Sequence, residues 1–198
     1  MPPIEVTVKE NGTVRRFPLS PQAFIISWLD ASDRYGLGYA LSNGCIGVHC
    51  RDSSSCVLSP STESFDYVYT KRSSSADLQQ IMQQPHHVLQ RKYYPMPPRS
   101  LIDNEEAGGG AAFRAVASKT MPKEVVSKVE ILNYFHAEIT ERLCGGDHPF
   151  LRKDVALTKD MPFVYKWFRS HNAIIFQMSD DTLQVSRGVT LSLPYAPC

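Results

Sequence analysis

No stretch of this 198-residue chain approaches the roughly 18 consecutive apolar residues that a membrane-spanning helix requires. Its first residues, MPPIEVTVKENGTVRR, also lack the apolar core of a secretion signal. An excess of one charge is missing as well, since 21 Lys and Arg face 20 Asp and Glu for a formal net charge of +1. No global field draws such a chain to nucleic acid or to a membrane surface, and neither is expected as a partner. The five cysteines are odd in number and contain no CxxC pair, which points to reduced thiols in the cytosol or nucleus rather than a disulfide framework.

Catalytic signatures are missing too. No P-loop, HExxH, GxSxG or kinase motif occurs. The nearest approach to a phosphate-cradling loop is WLDASDRYGLGYAL, Trp28 to Leu41, where Gly36 and Gly38 are followed by Tyr39, Ala40 and Leu41. The third glycine of GxGxxG is absent, so the segment reads as a strand entered through a glycine-containing bend. His86–His87 is the most ligand-like pair, yet adjacent histidines in a strand point to opposite faces. They read as solvated loop residues, and no cofactor or metal is expected. Cys144, Asp147 and His148 hold the elements of a thiol enzyme. CGGDHP, however, follows a helix end, where glycine and polar residues are expected anyway.

What is present is the composition of a globular protein, 42% hydrophobic and 21% charged, with enough chain for one domain or two small ones. From Ile25 the runs YGLGYALSN, CIGVHCRD, SSCVLSPS and SFDYVYTK alternate with turn clusters, predicting an antiparallel meander. Val48, Val57, Leu58, Tyr67 and Tyr69 suit a half-buried sheet surface, and Cys45, Cys50 and Cys56 suit small buried hydrophobes. Residues 71–122, with SSS, QQ, HH, PMPP and Gly108–Gly109–Gly110, read as a long flexible insertion whose best strand candidate is Gln90 to Tyr94. Val125, Val129, Leu132, Phe135, Ile139 and Leu143 recur at spacings of three and four, marking an amphipathic helix that Gly145–Gly146 ends. VYKWFR, AIIFQMS and TLQVS then return to strand, with Asp180–Asp181 at a turn. The expected organisation is an N-terminal segment 1–24, a first unit 25–146, and a connector with a partial second unit 147–198. Trp28 could be core or a contact platform, and Arg169 a solvated charge or a group that positions an anion.

WLDASDRYGLGYALSNGCIGVHCRDSS with SFDYVY resembles the first polo box of the polo-like serine/threonine kinases. KVEILNYFHAEITERL is similar to the helix closing that box, and PFVYKWFRSHNAIIFQMSDDTLQV to the opening of the second. The resemblance implies an α+β fold: a six-stranded antiparallel sheet plus one long helix, followed by the incomplete opening strands of a second box. The middle insertion and the YAL and GVHC details suggest a fungal member. It implies no catalysis by this chain, since the family carries its kinase activity on a separate domain. That kinase domain is a conceivable partner in a full-length relative. The implied function is to bind proteins phosphorylated at Ser-pThr or Ser-pSer motifs and to target a mitotic kinase. The implied places are nucleus and cytoplasm, at spindle pole bodies or centrosomes and at kinetochores.

By the same resemblance Trp28, Leu143 and Arg169 belong to the phosphopeptide groove between the boxes. Leu29, Ile131, Tyr134 and Phe135 match an auxiliary apolar pocket, although for these four the residues themselves favour plain core packing. The family reads phosphate with a histidine and a lysine two positions apart, shortly after the residue matching Val185. Here that stretch runs SRGVTLSLPYAPC, with neither in place and Arg187 as a substitute charge. The expectation is a polo-box region truncated within its second box and impaired in phosphate recognition, or else a phosphate-independent interaction module using the first-box sheet and an exposed second-box edge.

Overall fold

The computed structural model describes residues 4–10, 13–19, 23–70, 89–98, 109–143, 152–171 and 173–186, with only the backbone for 4–19, 109–112, 142 and 143. Strands β1 (Ile4–Glu10) and β2 (Thr13–Leu19) form an antiparallel hairpin with Ile4 opposite Leu19 and Val6 opposite Phe17. The sequence expectation for 1–24 is an N-terminal segment with no element assigned. The signal was there: IEVTVKE and TVRRF flank Asn11–Gly12, the strongest short-range hairpin pattern.

Six strands follow as an antiparallel meander in chain order: β3 (Ile25–Ala31), β4 (Gly36–Leu41), β5 (Ile46–Cys50), β6 (Ser55–Leu58), β7 (Ser64–Thr70) and β8 (Leu89–Pro95). Three connections are pinned by an Asp or Asn side chain that accepts from the backbone two residues on. Asp30 takes the Ser32 amide, Asn43 the Cys45 amide and Asp52 the Ser54 amide, each at 3.1 Å. The bend into β4 needs Gly36, whose φ is +136° and whose missing Cβ leaves room for the His49 carbonyl.

Residues 71–122, read as a flexible insertion, contain two ordered elements. One is β8, the sheet's sixth strand, which extends the Gln90–Tyr94 candidate by a residue at each end. The other is helix α1 (Gly109–Thr120), which begins inside the glycine run. The sequence AAFRAVASK supplies strong helix formers, and Phe113, Ala117 and Met121 recur every four residues into the core. Burial of that stripe offsets the roughly 1 kcal/mol that each helical glycine costs. Among the described residues a second, shorter helix thus accompanies the long one over the sheet.

Pro122 separates them. It cannot continue α1, and it caps α2 (Lys123–Glu138), whose Val125 and Val126 amides reach its carbonyl. Val125, Val129, Leu132, Phe135 and Ile139 are buried as the spacing predicted. A π-helical turn, Ile139–Leu143, ends the described helix, and Gly145–Gly146 lie outside the described residues.

A second, three-stranded antiparallel sheet has the order β11–β10–β9, from β9 (Val164–Arg169), β10 (Ile174–Met178) and β11 (Leu183–Ser186). Its Val164, Ile174, Phe176 and Met178 pack with Ile25, Leu37, Tyr39, Leu41 and Val57 on the face of the first sheet opposite the helices. The six-stranded sheet is thus covered on both faces, and every residue of β4 and β6 is buried. A half-buried surface was the sequence expectation. Val48 and Leu58 point to the helix side and Val57 to the second sheet, so both sets are core.

Candidate functional site

Strand β3 is an edge of the six-stranded sheet, and the three strands of the second sheet each set one side chain on it. From β11, Gln184 accepts from the Ile25 amide through Oε1 and donates from Nε2 to the Ile25 carbonyl, both at 2.7 Å. From β10, the Phe176 ring lies 6.3 Å from the Trp28 ring, tilted by 60°. From β9, the Arg169 guanidinium donates to Asp30 Oδ2 at 2.8 Å. Asp30 Oδ1 is engaged as well, accepting from the Ser32 amide and hydroxyl. An amide clamp, an aromatic contact and an ion pair therefore follow one another along a single edge strand.

Sequence alternation distributes the candidate residues. Trp28 faces the second sheet while its neighbour Leu29 faces the helices. The groove and auxiliary-pocket candidates accordingly sit on opposite faces of β3. Leu29 and Phe135 are core, as the residues themselves favoured. Ile131 and Tyr134 are half-buried against that core, and Tyr134 has ring centroids 5.3 Å from both Tyr35 and Phe135. Leu143 lies in the π-helical turn beside β3, and its side chain is outside the described residues. Arg169 is about half exposed and pairs with Asp30 across the two sheets.

Three residues that sequence reasoning missed complete the seam: Asp30, Phe176 and Gln184. Gln184 carried a faint signal, as the polar residue between the apolar Leu183 and Val185 of TLQVS. Its partner lies 159 residues away, which no local pattern reveals.

Chemistry of the catalytic kind is not assembled among the described residues. His49 Nδ1 lies 3.0 Å from the Ser55 hydroxyl, a pairing that elsewhere activates a nucleophile. Ser55 is buried, however, and its hydroxyl donates to the Val164 carbonyl at 3.4 Å, so the pair ties the two sheets together. Burial also lowers the His49 pKa from its ordinary value, against the opposing pull of the Val164 backbone and Asp52. Burial pushes the Cys45 thiol up to about 12 and raises those of Cys50 and Cys56, the reverse of what a reactive thiol needs. Cys144, Asp147, His148, His86, His87 and Arg187 lie outside the described residues. Among the described residues no three His, Cys, Asp or Glu side chains are placed to hold a metal ion, and no described helix is long and apolar enough to cross a membrane.

Residues 33–93 match the family described as POLO box duplicated region. The chain is 25% identical to serine/threonine-protein kinase PLK1 of Xenopus tropicalis over 170 residues, which is 85% of this chain and 22% of that kinase. It is 23% identical to serine/threonine-protein kinase plk-2 of Caenorhabditis elegans over 166 residues, 84% of this chain and 20% of the relative. The chain thus spans about a fifth of the length of these curated kinases. Among solved structures, the budding yeast Cdc5 polo-box domain in complex with an Spc72 phosphopeptide superposes with a TM-score of 0.52 at 18% identity, covering 84% of this chain and 48% of that one. The same domain in complex with the Dbf4 polo-interacting region gives 0.53 at 17% identity, covering 90% and 53%.

The six-stranded meander with a long helix across it is a polo-box fold, and residues 33–93 carry the matching sequence. More narrowly, the chain is similar to the polo-box region of the polo-like serine/threonine kinases, the family match itself falling on residues 33–93. That region is a binding module, and the catalytic domain of the matched kinases lies outside it.

Proposed function

We propose that this chain is a targeting module that takes an extended Ser-pThr or Ser-pSer peptide along the β3 seam beside Trp28, with weakened preference for the phosphorylated form. The observation that carries the reading is the seam itself: an edge strand presenting a half-buried tryptophan, with an arginine and an aspartate at one end, between two sheets. An open strand edge supplies main-chain hydrogen bonds, and flanking side chains supply selectivity. Polo-box domains of the same fold hold a phosphopeptide in one case and a partner's polo-interacting region in the other. The reading brings with it the expected role in docking a mitotic kinase at spindle poles and kinetochores.

The weakened preference follows from charge. A phosphorylated residue carries about −1.5 to −2 charges and calls for cationic donors. After Val185 the sequence has neither histidine nor lysine, and Arg169 must be shared with Asp30. Two lost charge-assisted contacts at about 1.5–3 kcal/mol each amount to roughly two to four decades of affinity. The test is fluorescence anisotropy of a labelled Ser-pThr-Pro peptide and its unphosphorylated twin against this chain and Trp28→Ala. Weak binding of both, lost in Trp28→Ala, is the expected result. Tight phosphate-selective binding would remove the claim of impairment, and binding unaffected by Trp28→Ala would move the site elsewhere.

A second reading has its own observation. Strand β11 is an edge of the three-stranded sheet, and Leu183, Val185 and the nearby Phe168 are 67%, 60% and 58% exposed. Such an edge suits phosphate-independent addition of a partner strand. Ionic strength separates the two, because phosphate binding weakens steeply with salt and strand addition does not.

A further inference from the structure

The Gln184 carboxamide makes both of its bonds to one residue, accepting from the Ile25 N–H and donating to the Ile25 C=O. In an antiparallel ladder a hydrogen-bonded pair of residues exchanges the same two bonds. A carboxamide carries one acceptor oxygen and a donor NH₂, so it can copy the neighbouring strand's peptide group at that rung. Ile25 is 5% exposed, and its flank is fixed from the β4 side, where the Ser42 amide donates to the Phe24 carbonyl at 2.8 Å. Directly after Ile25 the β3–β4 register shifts, and the pairing resumes at Ser27 opposite Ala40. The edge of β3 is therefore closed at Ile25 by a side chain and has no strand beside it from Ile26 to Ala31 among the described residues.

We propose that Gln184 is a register-setting residue, whose side chain plugs the β3 edge at Ile25 so that an extended segment pairs with β3 only beyond that rung, beside Trp28 and Asp30. The proposal rests on the reading of β3 as a peptide-binding edge. It makes Gln184 a positioning residue: it touches no ligand, but it determines how many residues of a ligand can pair.

The plug and its consequence are tested separately on the full chain. Amide hydrogen exchange of Ile25 reports the plug without any peptide. Exchange is expected to speed up by about three- to tenfold in Gln184→Ala, the equivalent of one lost net hydrogen bond. In Gln184→Glu, whose carboxylate accepts from the amide but cannot donate to the carbonyl, it is expected to stay nearer the wild type. An unchanged Ile25 rate in Gln184→Ala overturns the plug. The register role is read by lengthening the labelled Ser-pThr-Pro peptide one residue at a time at either end. Wild-type affinity should stop improving at a peptide about two residues shorter than in Gln184→Ala. The same limiting length in both overturns the register role while leaving the plug intact. If the wild-type chain binds no peptide of any length, the peptide-binding reading and the register role fall together, and Ile25 exchange still reports the clamp.

Discussion

The phenol oxygen of Tyr39 accepts a hydrogen bond from the Val164 amide at 3.1 Å, joining β4, the strand next to the β3 edge of the first sheet, to the first residue of β9 in the second. Both residues are fully buried, and burial drives the Tyr39 pKa well above its ordinary value despite that bond, so the phenol stays neutral. Tyr39→Phe keeps the ring and removes the acceptor, leaving the Val164 N–H without this partner in the core. A loss of about 1–3 kcal/mol is expected, measured as a shift in urea midpoint. A change below about 0.5 kcal/mol would show that this link contributes little to holding the two sheets together.

The GLGY segment, which looked like half of a phosphate loop, is spaced for packing. Gly38 lies under the Phe135 ring of α2, and a Cβ there would run into ring carbons of that buried side chain. Gly38→Ala is expected to destabilise by about 1–3 kcal/mol through overpacking. Adding Phe135→Leu should recover part of that loss, a coupling visible in a double-mutant cycle. Strictly additive effects would mean that the strain is relieved elsewhere.

Cys45, Cys50 and Cys56 are at most 2% exposed, with thiol pKa values raised by burial. They are expected to react with a thiol reagent at neutral pH only after unfolding, so that peptide mapping of briefly labelled native protein finds all three unmodified. Prompt native labelling of any of them would contradict the two-sided burial of the sheet.

Asp66 is 1% exposed, with Oδ2 accepting from the Met161 amide at 2.9 Å and from Arg91 at 3.4 Å, and Oδ1 left without a hydrogen-bond partner. Burial raises its pKa, opposed by the Met161 N–H and Arg91 and reinforced by Asp160. A carboxyl whose folded pKa is raised contributes stability that is fully present below its unfolded pKa of about 3.9 and is lost as pH rises through the folded value. Wild type should therefore gain stability relative to Asp66→Asn as pH falls from 7 toward 4. Urea midpoints of the two proteins across that range check it, and a constant or opposite gap refutes it.

Much of the first unit was readable because its causes are local. Ser32, Cys45 and Ser54 each sit two residues after the Asp or Asn that pins their turn, so the turn clusters of the sequence coincide with the strand ends. The α2 stripe was equally plain, since a helical period repeats within five turns. The α1 helix was hidden because a glycine run signals a break, and only burial of Phe113, Ala117 and Met121 against the sheet reverses that preference. The N-terminal hairpin was missed although Asn11–Gly12 between alternating runs announced it.

The candidate site was legible only as separate residues. Trp28 and Arg169 could be named from the chain, but the bond from Arg169 to Asp30 spans 139 positions and that from Gln184 to Ile25 spans 159. By itself, then, the sequence determined the meander, its pinned turns and the long amphipathic helix, because propensity and periodicity act over a few neighbouring residues. The tertiary structure alone decided that the sheet is buried on both faces and that its edge strand meets three strands of a second sheet. Alternation along a strand says which residues share a face, whereas what covers that face depends on packing between segments far apart in the chain.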